Sequence, residues 1–97
     1  MSTPSVPSYY TSLLRAPCFS TDPIGKRQAD RWKRLVDNIH RSTTPEDLRE
    51  ARGVAEGFIL GLVECGHLRP DSERDYVILS SIHRRQDFLR ALLSTLN

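Results

Sequence analysis

Five residues of this chain are of types that hold metals or activate nucleophiles through nitrogen and sulfur: Cys18, His40, Cys65, His67 and His83. A zinc site is usually announced by closely spaced pairs such as C-x-x-C or H-x-x-x-H, which bring two ligands to one ion. Neither spacing occurs. Only Cys65-Gly66-His67 places two candidates together, at the predicted end of a helix. The plainer assignment is a small buried thiol on an apolar seam and a surface histidine near a helix C-terminus, where a cation is favoured. No metal and no cofactor is expected.

Nucleophilic catalysis has no better footing. The chain lacks G-x-S-x-G and any recognisable Cys–His arrangement. The carboxylates Glu46, Asp47, Glu50, Glu56 and Glu64 fall at capping or solvated positions. A bundle of 97 residues leaves little room for a cleft that would shift their pKa values. The glycines lie inside a helical pattern rather than after a strand, so they form no phosphate cradle. An enzyme is not expected.

Arginine carries the strongest remaining signal. Of the 14 basic residues only Lys26 and Lys33 are lysine. Arg27, Arg31, Arg34, Asn38 and Arg41 follow a 4-3-4-3 spacing and so share one helix stripe. His83, Arg84 and Arg85 form a second cluster, with Arg90 beyond it. Such stripes bind nucleic-acid phosphates or dock on acidic protein surfaces. The bland alternative is a solvated face, partly neutralised by Asp30, Asp37, Glu50 and Asp87. The solvated face ranks first, a protein partner second and nucleic acid third. A net charge of +2 does not by itself call for nucleic acid, and GC-rich coding would also favour arginine. A helix-turn-helix reading meets two obstacles. The stretch from Gly66 to Asp71 is longer than the usual turn, and the helix after it lacks a polar base-reading face at its start.

Three helices position these residues. The first runs from about 22 to 41, with Asp22 as N-cap and Pro23 at the first helical position. Gly25 is a weak spot near its start. Ala29, Trp32, Leu35, Val36 and Ile39 form its buried stripe. The second runs from about 44 to 65, opened by Thr44 and Pro45, with Glu46 and Asp47 in its first turn. Its seam is Leu48, Ala51, Ala55, Phe58, Leu62 and Cys65, and Gly66 sits where a left-handed C-cap belongs. The third runs from about 72 to 96, with Ser72 and Asp75 resembling a capping box. Leu79, Ile82, Leu89, Leu93 and Leu96 define its stripe, widened by Tyr76, Ile78, Phe88 and Leu92. Residues 75–82, DYVILSSI, are also rich in strand formers, but a lone strand has no partner here and helix is preferred.

Short connections make this an all-α, up-down-up three-helix bundle. Residues 1–21 form an arm, loose over Met1–Pro7 with a short helical turn over Ser8–Arg15, and residues 22–97 form one helical domain.

Gly53, Gly57 and Gly61 recur every four residues and leave a bare groove along the second helix. Each costs about 1 kcal/mol against alanine, so the set costs about 3 kcal/mol. A closely packed neighbour would offset that. The favoured neighbour is internal: Trp32, or an arm aromatic (Tyr9, Tyr10 or Phe19). The other reading is a homodimer or partner interface. The apolar run Gly57–Val63 is bounded by Glu56 and Glu64, far short of a membrane span of about 18 residues.

Hydrophobic residues make up 38% and charged residues 27%, a globular balance. Two distant cysteines and a start without a basic, then apolar, leader read as a cytoplasmic protein with reduced thiols. The functional expectation is a small non-enzymatic interaction protein: an adaptor, regulator or inhibitor, of the kind a bacterium or phage encodes against a host or defence complex. A nucleic-acid-binding regulator using the arginine face is the alternative.

Overall fold

The computed structural model describes residues 8–95. They form four helices, α1 (Ser8–Arg15), α2 (Pro23–Arg41), α3 (Pro45–Glu64) and α4 (Ser72–Thr95), with no strand among the described residues. The all-α reading holds, and DYVILSSI is helical. The expected loose arm over Met1–Pro7 and the expected stripe residue Leu96 lie outside the described residues.

The helix count is four rather than three, because α1 is built into the bundle. Eight residues are too few for a stable isolated helix, so α1 depends on tertiary contacts. Leu13 is fully buried in the same apolar cluster as Trp32, Val36, Ile39, Leu48 and Ile82. The indole N–H of Trp32 donates to the Leu13 carbonyl at 3.0 Å, which meets one of the last-turn acceptors a helix leaves open. Tyr9 lies beside His40 and Tyr10 bonds Asp37, so α1 and α2 run antiparallel. The end of α1 lies by the start of α4, where Ser12 and Arg15 face Glu73 and Val77 across a shallow crevice. Each helix touches the next, and α4 closes back on α1. The result is an up-down-up-down ring.

The caps explain the boundaries. Asp22 accepts from the Gly25 N–H at 2.7 Å and Thr44 from the Asp47 N–H at 3.1 Å, each with proline in the first turn. For α4 the capping side chain is Asp71, which accepts from the Arg74 N–H at 3.1 Å. The expected Ser72–Asp75 box gives way to a carboxylate one residue earlier. At the end of α3, Gly66 takes φ +80. The His67 N–H reaches the Leu62 carbonyl at 2.8 Å, and the Gly66 N–H reaches Val63 at 3.1 Å. That paired geometry is a Schellman motif.

The buried faces differ from the expected ones in two places. On α3, Leu48 and Ala55 are buried and Ala51, Phe58 and Leu62 partly so, joined by Ile59. Cys65 is exposed, because it is the C-cap and lies past the last packed turn. On α4, Ile78, Ile82 and Leu89 are buried, but Leu79, Leu93, Tyr76, Phe88 and Leu92 are exposed. Its apolar sector is wider than α1 and α3 together cover.

Candidate functional site

Gly53, Gly57 and Gly61 lie on the outer face of α3. Gly57 is two residues from both Ala55 and Ile59, about 200° round the helix from each, and those two residues are buried. No described atom outside the helix backbone lies within 4 Å of a Cβ built at any of the three glycines. The expected internal neighbour is therefore not there. Trp32 stacks on Phe58, with ring centroids 6.4 Å apart. Tyr9 and Tyr10 turn to His40 and Asp37, and Phe19 packs on the core. Among the described residues the glycine face is bare.

One glycine is the opposite case, and the sequence pointed to it only as a weak spot. A Cβ on Gly25 would sit 1.9 Å from the Ser20 carbonyl oxygen. The turn between α1 and α2 passes so close to the start of α2 that only glycine fits.

The arginines divide three ways. Arg27, Arg31 and Arg34 are exposed on α2 and make no side-chain hydrogen bond or ion pair among the described residues. Arg41 shares their stripe and bonds Asn38 at 3.1 Å. A crevice beside it is lined by Asn38 and Arg41 from α2 and by Asp47, Glu50 and Val54 from α3, so acidic groups flank the stripe there. Arg84 is exposed on α4, within 3.4 Å of the Ser81 hydroxyl. Arg85 is not a free contact residue, contrary to expectation. Its guanidinium donates to the His40 carbonyl at 3.0 Å and lies over the rings of Tyr9 and Phe88. It serves the open carbonyls at the end of α2, where a cation also complements the helix dipole.

Around it is a polar knot that ties α1 to α2. Burial raises the Tyr9 phenol above its ordinary range, with Arg85 opposing the shift. The Tyr10 hydroxyl donates to Asp37 at 2.6 Å. That bond raises the Tyr10 phenol and lowers the Asp37 carboxyl, with Lys33 at 3.2 Å adding to the latter. These groups are engaged with one another, and the Nε of Arg85 is buried among them without a hydrogen-bond partner. No cluster of three or more metal-binding side chains occurs among the described residues.

The most apolar of the three crevices is a groove between α3 and α4, of about 420 Å³. Ile59 and Ile78 form its floor, both buried, with Val63 and Pro70 beside them. Leu60 and Leu79 stand on its two rims, 58% and 40% exposed. Arg52 and Glu56 pair on the α3 side at 2.7 Å. Arg74 also lines the groove, only 7% exposed. Its Nη1 donates to the Arg69 carbonyl at 2.8 Å. Its Nε is buried without a hydrogen-bond partner. The Asp75 carboxylate stands 3.4 Å away, within ion-pair reach but not along the N–H direction. A buried donor left unmet costs about 1–3 kcal/mol. The sequence held a sign of this groove. Leu60 falls outside the α3 seam, and α4 carries more apolar residues than one helix face can bury.

No helix among the described residues is long and apolar enough to cross a membrane. No protein-family model, no curated protein and no solved structure matches this chain.

Proposed function

We propose that this chain is a small non-enzymatic protein–protein interaction module, an adaptor, regulator or inhibitor. It engages its partner through the α3/α4 groove and the adjoining outer face of α3. The observation that carries this reading is the open groove with Leu60 and Leu79 exposed on its rims. Large apolar side chains gathered at a concave, partly apolar surface favour association. The bare glycine face beside Leu60 admits a close backbone approach.

The test is site-specific photocrosslinking in the native cell. A photoreactive residue at position 60 or 79 is expected to give one discrete adduct, and one at position 73 none. If neither groove position gives an adduct, the reading fails. An adduct at twice the mass of the chain identifies the partner as a second copy.

A second reading rests on Arg27, Arg31 and Arg34, which stand exposed and unpaired among the described residues. It makes the chain a nucleic-acid-binding regulator. Replacing the three by alanine would then weaken DNA or RNA binding and flatten its salt dependence. Absence of any duplex or single-strand binding at low salt removes it.

A further inference from the structure

We infer that the α3/α4 groove takes an amphipathic helix of a partner protein, one with a carboxylate among its apolar side chains, and that Arg74 receives that carboxylate. This rests on the interaction reading above and names the chemistry of the partner.

Three observations converge on it. The groove lies between two antiparallel helices and is walled by Ile59, Val63, Ile78 and the exposed Leu60 and Leu79. A third helix laid along such a seam buries apolar side chains at i, i+3, i+4 and i+7 spacing. Second, the groove is not purely apolar. Arg74 is more than nine-tenths buried, and its Nε has no hydrogen-bond partner. A guanidinium offers five donors in a planar fork that matches a carboxylate. Third, the other charges on the lining are already engaged or solvated. Arg52 and Glu56 are 2.7 Å apart. Asp75 is 62% exposed and out of line with Nε. Arg74 is therefore the charged lining residue with a donor left unmet: Nη1 is bonded to Arg69 and Asp75 stands within ion-pair reach, but Nε has no hydrogen bond.

The same charges choose among anions. A phosphate group would bring close to two negative charges beside Glu56 and Asp75, whereas a carboxylate brings one. A carboxylate also sits naturally on an amphipathic helix beside leucine or isoleucine.

The test is selection of a displayed random-peptide library on the full chain, followed by affinity measurements with the enriched peptides. Enriched sequences are expected to combine helix-spaced apolar residues with one Asp or Glu. Leu60→Asp and Leu79→Asp, both at exposed positions, should each weaken binding about 10-fold or more, because a charge then faces the peptide's apolar side. Changing the peptide's acid to its amide should weaken binding to the wild-type chain about 10-fold. The same change should matter little against Arg74→Gln. If Arg74→Gln fails to fold by circular dichroism, the amide substitution and the two leucine variants decide the matter. Groove-dependent peptides without an acid, or with an acid whose amide binds equally well, overturn the role of Arg74 while leaving an interaction module. Peptides indifferent to Leu60→Asp and Leu79→Asp place the contact elsewhere and overturn the inference. A selection that enriches nothing above background overturns both the inference and the function it rests on.

Discussion

Where α1 meets α2 and α4, most polar side chains that reach inward find partners, the Nε of Arg85 being an exception. Trp32 donates to Leu13, Tyr10 to Asp37, and Arg85 to the carbonyls of His40 and Ser42. The backbone comes so close at Ser20 and Gly25 that a methyl group has no room. Where α3 meets α4, the rules reverse. Leu60 and Leu79 stand in solvent around an open groove, and three glycines face nothing among the described residues. The two sides share one core, so the contrast is not between a folded and an unfolded part. It separates residues selected by what lies inside the chain from residues that nothing described inside the chain explains. Stability should therefore concentrate on the first side and tolerance on the second.

The widest gap is expected between two apolar truncations. Trp32→Ala removes a side chain that is 1% exposed, stacked on Phe58 and bonded to Leu13. It should cost about 3–5 kcal/mol, a large share of the roughly 5–15 kcal/mol that holds a small domain. Leu79→Ala, at 40% exposure, should cost under about 1 kcal/mol. Urea denaturation of both variants tests this. Comparable losses would mean that the α3/α4 groove is closed in solution.

Two glycine substitutions should differ in sign. Gly25→Ala forces a Cβ against the Ser20 carbonyl and should destabilise by about 1–3 kcal/mol or more. Gly57→Ala meets nothing and should stabilise by about 1 kcal/mol through helix propensity. Gly57→Leu should also be tolerated by the isolated chain, whereas a close internal neighbour would make it far worse than alanine. If leucine at position 57 lowers the melting temperature, some part of the chain does cover the glycine face. If it leaves stability intact but abolishes the crosslink from position 60, the neighbour belongs to another molecule.

Arg85 and Arg84 are adjacent in sequence and opposite in consequence. Arg85→Met should cost about 1–2 kcal/mol, since the carbonyls of His40 and Ser42 lose their donor. Arg85→Lys should recover little, because an ammonium cannot reproduce the planar fork. Arg84→Ala should stay within about 0.5 kcal/mol. Thermal melts of the three variants are sufficient, and equal effects at 84 and 85 would dissolve the distinction.

Much of the tight side was legible because its signals are local. Asp22-Pro23, Thr44-Pro45 and Gly66 mark helix ends through chemistry confined to a few residues, and Trp32, Leu35, Val36 and Ile39 follow one helical period. What escaped depended on distance. Ser8–Arg15 reads as a short turn, and only burial of Leu13 against residues from α2, α3 and α4 makes it a full member of the bundle. Arg85 reads as surface charge because nothing nearby in sequence shows that the end of α2 passes beside it. Gly25 looked incidental and Gly57 important. The spacing of glycines reveals which face is bare, but not whether anything stands in front of it.

The smallest expected effect lies at the edge of the tight side, in the bond from Tyr10 to Asp37, and its sign depends on pH. Asp37 is lowered chiefly by that bond, and its contribution is fully present above the ordinary carboxylate value of 3.8. The contribution is lost as pH falls through the lowered value, when the carboxyl is protonated. Tyr10 is raised, again chiefly by the same bond, so its contribution holds below the ordinary phenol value of 10.0 and is lost as pH rises through the raised one. Tyr10→Phe should therefore melt lower than the wild type by a constant amount between those two values, and the difference should shrink towards either extreme. Lys33 still pairs with Asp37 in the variant, so some acid sensitivity survives the substitution. The difference between the two melting curves isolates the tyrosine's share. A difference that stays flat into acid and base would mean that Tyr10 contributes packing alone. The α1–α2 seam would then be held by Trp32, Leu13 and the contact between Tyr9 and His40.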